Sequence, residues 1–345
     1  MRTRRLVPGI LLAAVVLALA GGPAVAQQRP GAVTLGTNPP GTVIYAAGSG
    51  IAKVVSGAAP FQMVVQPYTG ATTYFPVINS GELDFALASD IDLAMSYQGP
   101  GRLKLAGRNP YPHTPHIRLV MRGAPLPAAL LVRRDSPIKT IAEVKGKRVT
   151  GEFPAQLNNF FIEYANLASA GLTWDDVKVV PVPAVNEAVD ALVQGRAEVA
   201  VHALNSAKVR EANASVGVRH VAADCSPQGV ERRRKAVPFY RHTVIKAGQG
   251  AAVTEDTCLL TFDFYLVTHR AAPDAVVAAV LKAVWEQVDA LGAFHPFLKQ
   301  WTRERAVDPD VTVPYHPAAI PFYRERGAWS PKMDEAQQKL LALNP

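Results

Sequence analysis

Five polar segments of this chain fall where a β-like run gives way to a helix-like one: residues 37–42, 68–72, 89–90, 151–159 and 202–205. They bring hydroxyls (Thr37, Thr42, Thr69, Thr72), carboxamides (Asn38, Gln156, Asn158, Asn159, Asn205), a carboxyl (Asp90) and an imidazole (His202). Gly70 and Phe153 lie inside these segments, and Tyr45 just beyond the first. Neutral donors beside the free N–H groups of a helix start can hold an anion and still release it. Several roles stay open. Tyr45 contacts a ligand or packs its helix on the sheet, and Thr69 and Thr72 contact a ligand or cap a helix. Asp90 caps its helix or faces the pocket. Arg133 is the cation best placed to pair bidentately with a carboxylate if buried, and otherwise lies on the surface.

Catalysis has less support. His113 and His116 are three apart, but the run Tyr111-Pro112-His113-Thr114-Pro115-His116 is broken by proline and cannot set a metal pair on one helix face. No His-Glu-x-x-His, Gly-x-Ser-x-Gly or phosphate loop occurs. Glu82 with Asp84, and Asp175 with Asp176, read as turn acids. No enzyme activity, metal or cofactor is expected.

The elements that position the polar segments repeat one pattern of strand, turn and capped helix. Residues 33–36 form a strand; Thr42 then caps a helix with Ile44, Ala47, Ile51 and Val55 on one face. Strands at 61–66 and 84–88 follow, the first leading into a helix that ends near Ser80 and the second into a helix capped by Ser89-Asp90. The pattern resumes with strands at 147–150, 177–182 and 199–202 and helices at 156–170, 186–194 and from 205. Short apolar strands at 128–133 and 259–268 connect the two series. Residues 274–291 read as one long helix packed on the core. The expectation is an α/β fold with a largely parallel sheet, in two lobes joined by two crossing strands. Residues 27–134 with 259–345 form one lobe and 135–258 the other, with the polar turns facing the cleft between them.

The N-terminus reads as an export signal. Arg2, Arg4 and Arg5 precede an uncharged apolar run over residues 6–20, and Pro23-Ala24-Val25-Ala26 supplies a small-residue cleavage site. Cleavage near Ala26 leaves 319 residues for the periplasm and lowers the formal charge from +8 to +5. Nearly half the chain is hydrophobic, enough for a large core and too rich for disorder. The one dense basic run, Arg232-Arg233-Arg234-Lys235, has no interleaved aromatics and reads as a solvated face, so no nucleic-acid partner is expected. Cys225 and Cys258 are the only cysteines; in an oxidising compartment they pair or stay as two buried thiols.

The chain resembles the solute-binding subunits of TRAP transporters of the TAXI class. The resemblance rests on Gly36-Thr37-Asn38-Pro39-Pro40-Gly41-Thr42 with Tyr45, on Thr69-Gly70-Ala71-Thr72, and on Asn79-Ser80-Gly81-Glu82-Leu83-Asp84 with Ser89-Asp90. Val144-Lys145-Gly146-Lys147-Arg148-Val149 and Val313-Pro314-Tyr315-His316-Pro317-Ala318-Ala319 with Tyr323 extend it over most of the chain. It departs where the family often has Gly-Ser-Gly: here residues 151–159 read Gly-Glu-Phe-Pro-Ala-Gln-Leu-Asn-Asn. Pro154 removes a donor and Gln156, Asn158 and Asn159 add carboxamides. Val43 stands where many members carry tyrosine.

The resemblance implies a type II-like periplasmic binding fold, in keeping with two α/β lobes, and a receptor that closes on a small organic anion. Such a receptor hands a dicarboxylate, keto acid or amino-acid-like solute to TRAP permease subunits in the membrane. A monomer is expected. The alternatives are the binding protein of an ABC importer and a ligand-sensing partner of a signalling kinase.

Overall fold

A computed structural model describes residues 31–344; the expected signal segment, residues 1–26, lies outside the described residues. The chain opens with three parallel strands, β1 (Ala32–Thr37), β2 (Gln62–Pro67) and β3 (Phe85–Ser89), β1 lying between the other two. Helices α1 (Val43–Ala58), α2 (Ala71–Ser80) and α3 (Asp90–Gln98) follow them in turn. Caps fix two of the helix starts: Thr42 Oγ1 accepts from the Tyr45 amide and Ser89 Oγ from the Asp92 amide.

A 17-residue strand, β4 (Ile117–Arg133), then leaves this region. The chain continues through β5 (Arg148–Glu152), α4 (Leu157–Ser169), β6 (Lys178–Val182), α5 (Val185–Val193), β7 (Ala200–Ala203), α6 (Ala207–Ser215), β8 (Val218–His220), α7 (Pro227–Ala236) and β9 (Arg241–Ile245). It returns along β10 (Thr257–His269) and ends with α8 (Asp274–Glu286), α9 (Val288–Leu291), α10 (Ala319–Glu325) and α11 (Pro331–Leu341).

The main sheet runs β2-β1-β3-β10-β4-β7, with β8 also on β4 and β9 on β10; β5 and β6 form a separate parallel pair. β10 is antiparallel to β3, β4 and β9, and β4 is antiparallel to β7 and β8. The sheet is therefore mixed, which corrects the expectation of a largely parallel one. The long strands β4 and β10 do cross between the two groups of elements, but β4 begins at Ile117, well before residue 128. Pro125 and Pro127 hide that first half, because proline argues against strand interiors. They sit opposite Asp263 and Thr261, and the register slips just beyond, between Asp263 and Tyr265. The helix expected over 274–291 is also two pieces, broken at Gln287.

Where β10 passes between the groups, Asp263 is 98% buried at its side chain and takes three guanidinium groups: Arg122 at 2.7 Å, Arg241 at 2.6 Å and Arg305 at 2.8 Å. Arg122 also reaches Asp308 at 2.7 Å. Cys225 and Cys258 are joined in a disulfide with their Cα atoms 6.5 Å apart, tying the segment before α7 to the start of β10. The bridge spans 33 residues, and closing such a loop in the unfolded chain stabilises by about 2–4 kcal/mol. Replacing both cysteines with serine is expected to lower unfolding free energy by that amount in urea titrations, and an unchanged midpoint would contradict it.

Candidate functional site

A cavity of about 50 Å³ opens where the crossing strands meet the helix starts. Leu126 and Ala128 of β4 and Phe262 and Phe264 of β10 contribute to its wall. From the first group of elements come Asn38, Thr42, Val43, Ile44, Ala71, Tyr74 and Asp92. The second group adds Gln156, Asn158, Asn159, Ile162, Val185, His202 and Ala203. The first residues of α1, α2, α4 and α5 are part of the wall, so the cavity gathers where several strand-to-helix turns meet.

Six of the residues singled out by sequence line this cavity: Asn38, Thr42, Gln156, Asn158, Asn159 and His202. Their local bonds divide the labour. Gln156 is spent on structure, its Nε2 donating to the Thr69 carbonyl at 3.0 Å and its Oε1 accepting the Val185 amide at 3.0 Å. Asn158 Oδ1 accepts from Tyr240 Oη at 2.5 Å. His202 Nε2 lies 3.2 Å from Asn186 Oδ1, and Asn186 Nδ2 donates to the Pro40 carbonyl at 3.1 Å. Asn38 Oδ1 is buried without a hydrogen-bond partner.

The other nine candidates lie outside the wall. Thr37 is fully buried at the end of β1, its hydroxyl donating to the Asn38 carbonyl at 3.1 Å. Tyr45 is half-buried on α1, and Thr69 is exposed with its carbonyl facing Gln156. Gly70 and Thr72 close the cleft. Thr72 Oγ1 lies 2.8 and 2.9 Å from the Pro154 and Ala155 carbonyls, and a Cβ on Gly70 would stand 1.9 Å from Ala155 O. Asp90 braces the crossing strand, its Oδ2 accepting the Asp263 amide at 3.1 Å. Arg133 is partly exposed and 3.6 Å from Asp135, so it offers no buried cation. Phe153 is wholly buried in a left-handed turn with Glu152, at φ 47° and 72°. Asn205, also left-handed at φ 63°, accepts the Ala251 amide through Oδ1.

Sequence reasoning passed over Asp92, Tyr74, Phe262 and Phe264. Asp92 carried a readable signal, Ser89-x-x-Asp92, the signature of a reciprocal helix cap. Ser89 Oγ accepts the Asp92 amide and donates to its Oδ2 at 2.6 Å, while Tyr111 Oη donates to Oδ1. The aromatics had no such mark, being ordinary strand and helix residues that become wall only through the crossing geometry.

Among the described residues, no lysine or arginine lines the cavity. Burial raises Asp92 to about 6, opposed by its bonds to Ser89 and Tyr111. Burial, then the neighbouring Asp263 charge, raises Asp90 to about 7. Burial lowers His202 to about 3 and His220 to about 4. The two histidines are neutral in the fold and protonate below about pH 6.5 when unfolded. The stability they supply is thus present above pH 6.5 and lost as pH falls toward 4. Asp90 works in the opposite sense: its contribution is present below about pH 4 and lost as pH rises through about 7. His220→Phe is expected to lose less stability than the wild type between pH 6.5 and pH 4, measured by urea unfolding at each pH. Equal losses would refute the assignment.

Two groups of α/β elements, two crossing strands and a cleft of helix starts define the fold of the two-lobed periplasmic binding proteins. Solved structures share it at low identity. A periplasmic transporter matches with TM-score 0.56 and 15% identity, covering 91% of this chain and 97% of that one. Rpa4515 of R. palustris, solved with adipate, matches at 0.55 and 13%, covering 92% and 98%. The periplasmic binding protein BugD matches at 0.53 and 12%, covering 90% and 97%. Residues 35–327 match the NMT1-like family, and the chain belongs to that family.

Proposed function

We propose that this protein is a periplasmic solute receptor of the TAXI type, which closes on a small organic anion and delivers it to TRAP permease subunits. The reading is carried by one observation: a cavity between two groups of elements, lined by the first residues of several helices and by the carboxamides of Asn38, Asn158 and Asn159. Partial positive charge at helix N-termini favours an anion, and neutral donors leave it free to dissociate. Contacts from both groups exist together only in the closed form, so the solute shifts the balance between open and closed states. The protein carries out no reaction on this reading; cavity groups such as Asp92 and Gln156 are occupied by internal hydrogen bonds. The protein acts as an exported monomer after cleavage near Ala26.

A thermal-shift screen of carboxylates, keto acids, sulfonates and phosphate esters tests the proposal, with uptake measured in a deletion strain for each hit. A raised melting temperature for at least one anion and loss of its uptake are expected. Turnover of an ester or peptide with no anion stabilising the fold would overturn the receptor reading. An adjacent ATPase gene in place of a permease would reassign the partner to an ABC importer.

A further inference from the structure

Three helices present their starts to the cavity with no acidic residue in the first turn: α1, α2 and α4. α5 also starts at the wall, with Val185, but its first-turn acid, Glu187, is exposed and outside the wall. The start of α3 differs. It carries Asp92 in its first turn, and that carboxyl is part of the cavity wall. A second, independent feature marks where a ligand anion sits. Asn158 is only 7% exposed and lines the cavity; Tyr240 holds its Oδ1, and its Nδ2 donates to no acceptor among the described residues. Asn159 Nδ2 already faces Gln156 and His202 Nε2 faces Asn186, so the free donor of Asn158 is the place for one carboxylate.

The remainder of the wall is apolar or, at Asn38, Thr42, Asn159 and His202, polar and uncharged, apart from Asp92. Phe262, Phe264, Ile162 and Leu126 offer hydrocarbon surface. Both Asp92 oxygens already accept hydrogen bonds, from Ser89 and Tyr111, and among the described residues no lysine or arginine lines the cavity to offset a further negative group. Like charges in a poorly solvated space repel strongly.

Resting on the receptor reading, we propose that the cavity selects a small monocarboxylate with an apolar body, and that Asp92 is the specificity residue that turns dicarboxylates away. Asn158, positioned by Tyr240, receives the one carboxylate together with the helix starts. The apolar body lies against the phenylalanines, and a second carboxylate meets the Asp92 charge.

The test is calorimetric titration at pH 8 with chain-matched pairs: propanoate and malonate, butanoate and succinate, hexanoate and adipate. For at least one pair the monocarboxylate is expected to bind the wild type tenfold or more tightly than its diacid. Asp92→Asn is expected to bring that pair within about threefold by strengthening the diacid. A diacid that binds the wild type as tightly as its partner, or a ratio unchanged in Asp92→Asn, would overturn the proposal. Should Asp92→Asn not fold, the wild-type ratios decide together with Asn158→Leu, which is expected to weaken the monocarboxylate at least tenfold. Silence from every acid in both series also overturns the proposal, while the receptor reading is judged separately by the sulfonates and phosphate esters of the wider screen.

Discussion

Gly70→Ala is expected to abolish tight solute binding while leaving the fold intact. Gly70 has extended backbone, φ 168°, a conformation any residue adopts, so an added methyl strains nothing locally. The conflict arises across the cleft. The new Cβ would lie 1.9 Å from the Ala155 carbonyl oxygen and 2.5 Å from Gln156 Cγ. Backbone cannot yield to that overlap, and the cleft must stand open. The bonds from Thr72 to the Pro154 and Ala155 carbonyls and from Gln156 to Thr69 then go unmade. Losing half of a two-sided grip costs at least about 100-fold in affinity, or roughly 2.7 kcal/mol. Calorimetry with a solute identified by the thermal-shift screen, beside small-angle scattering, checks this. Wild-type affinity in a variant with an unchanged scattering curve would show that closure does not run through Gly70.

The second large effect concerns stability. Asp263→Ala leaves Arg122, Arg241 and Arg305 facing one another around a vacated carboxylate. Removing the shared partner of a buried ionic cluster costs about 3–5 kcal/mol; Arg122 keeps Asp308 and Arg241 keeps water, so a loss near the lower end is expected. Arg241→Ala makes the contrast. Its side chain is half exposed and two guanidinium groups still satisfy Asp263, so a loss of at most about 1 kcal/mol is expected. Guanidinium unfolding of both variants measures the difference, and equal losses would show that the cluster contributes through packing and not through charge.

Much of this molecule was legible before its structure. Thr42 and Ser89 announced helix starts because a hydroxyl before an apolar helical run caps the first free amides. Asn38, Gln156, Asn158, Asn159 and His202 were found at the cavity by the rule that ligands gather beyond strand ends. That rule gives a neighbourhood and not an orientation. Gln156 and Thr72 face the opposite half of the molecule more than any solute, and Arg133 points away to Asp135. The first half of β4 was concealed by Pro125 and Pro127. Phe262 and Phe264 read only as core until the crossing strands carried them to the cavity. What was missed depends on contacts between residues far apart in the chain, which local periodicity does not encode.

Away from the crossing strands, where Arg241 pairs with Asp263, the bonds named above across the cleft join uncharged partners: a threonine hydroxyl to two carbonyls, a glutamine amide to a third and an asparagine amide to a fourth. Dissolved salt screens ion pairs but leaves such dipolar contacts almost untouched. If the protein is the receptor proposed above, its closure is expected to keep the same strength from dilute to briny water, and salt would act only through the charge of the solute.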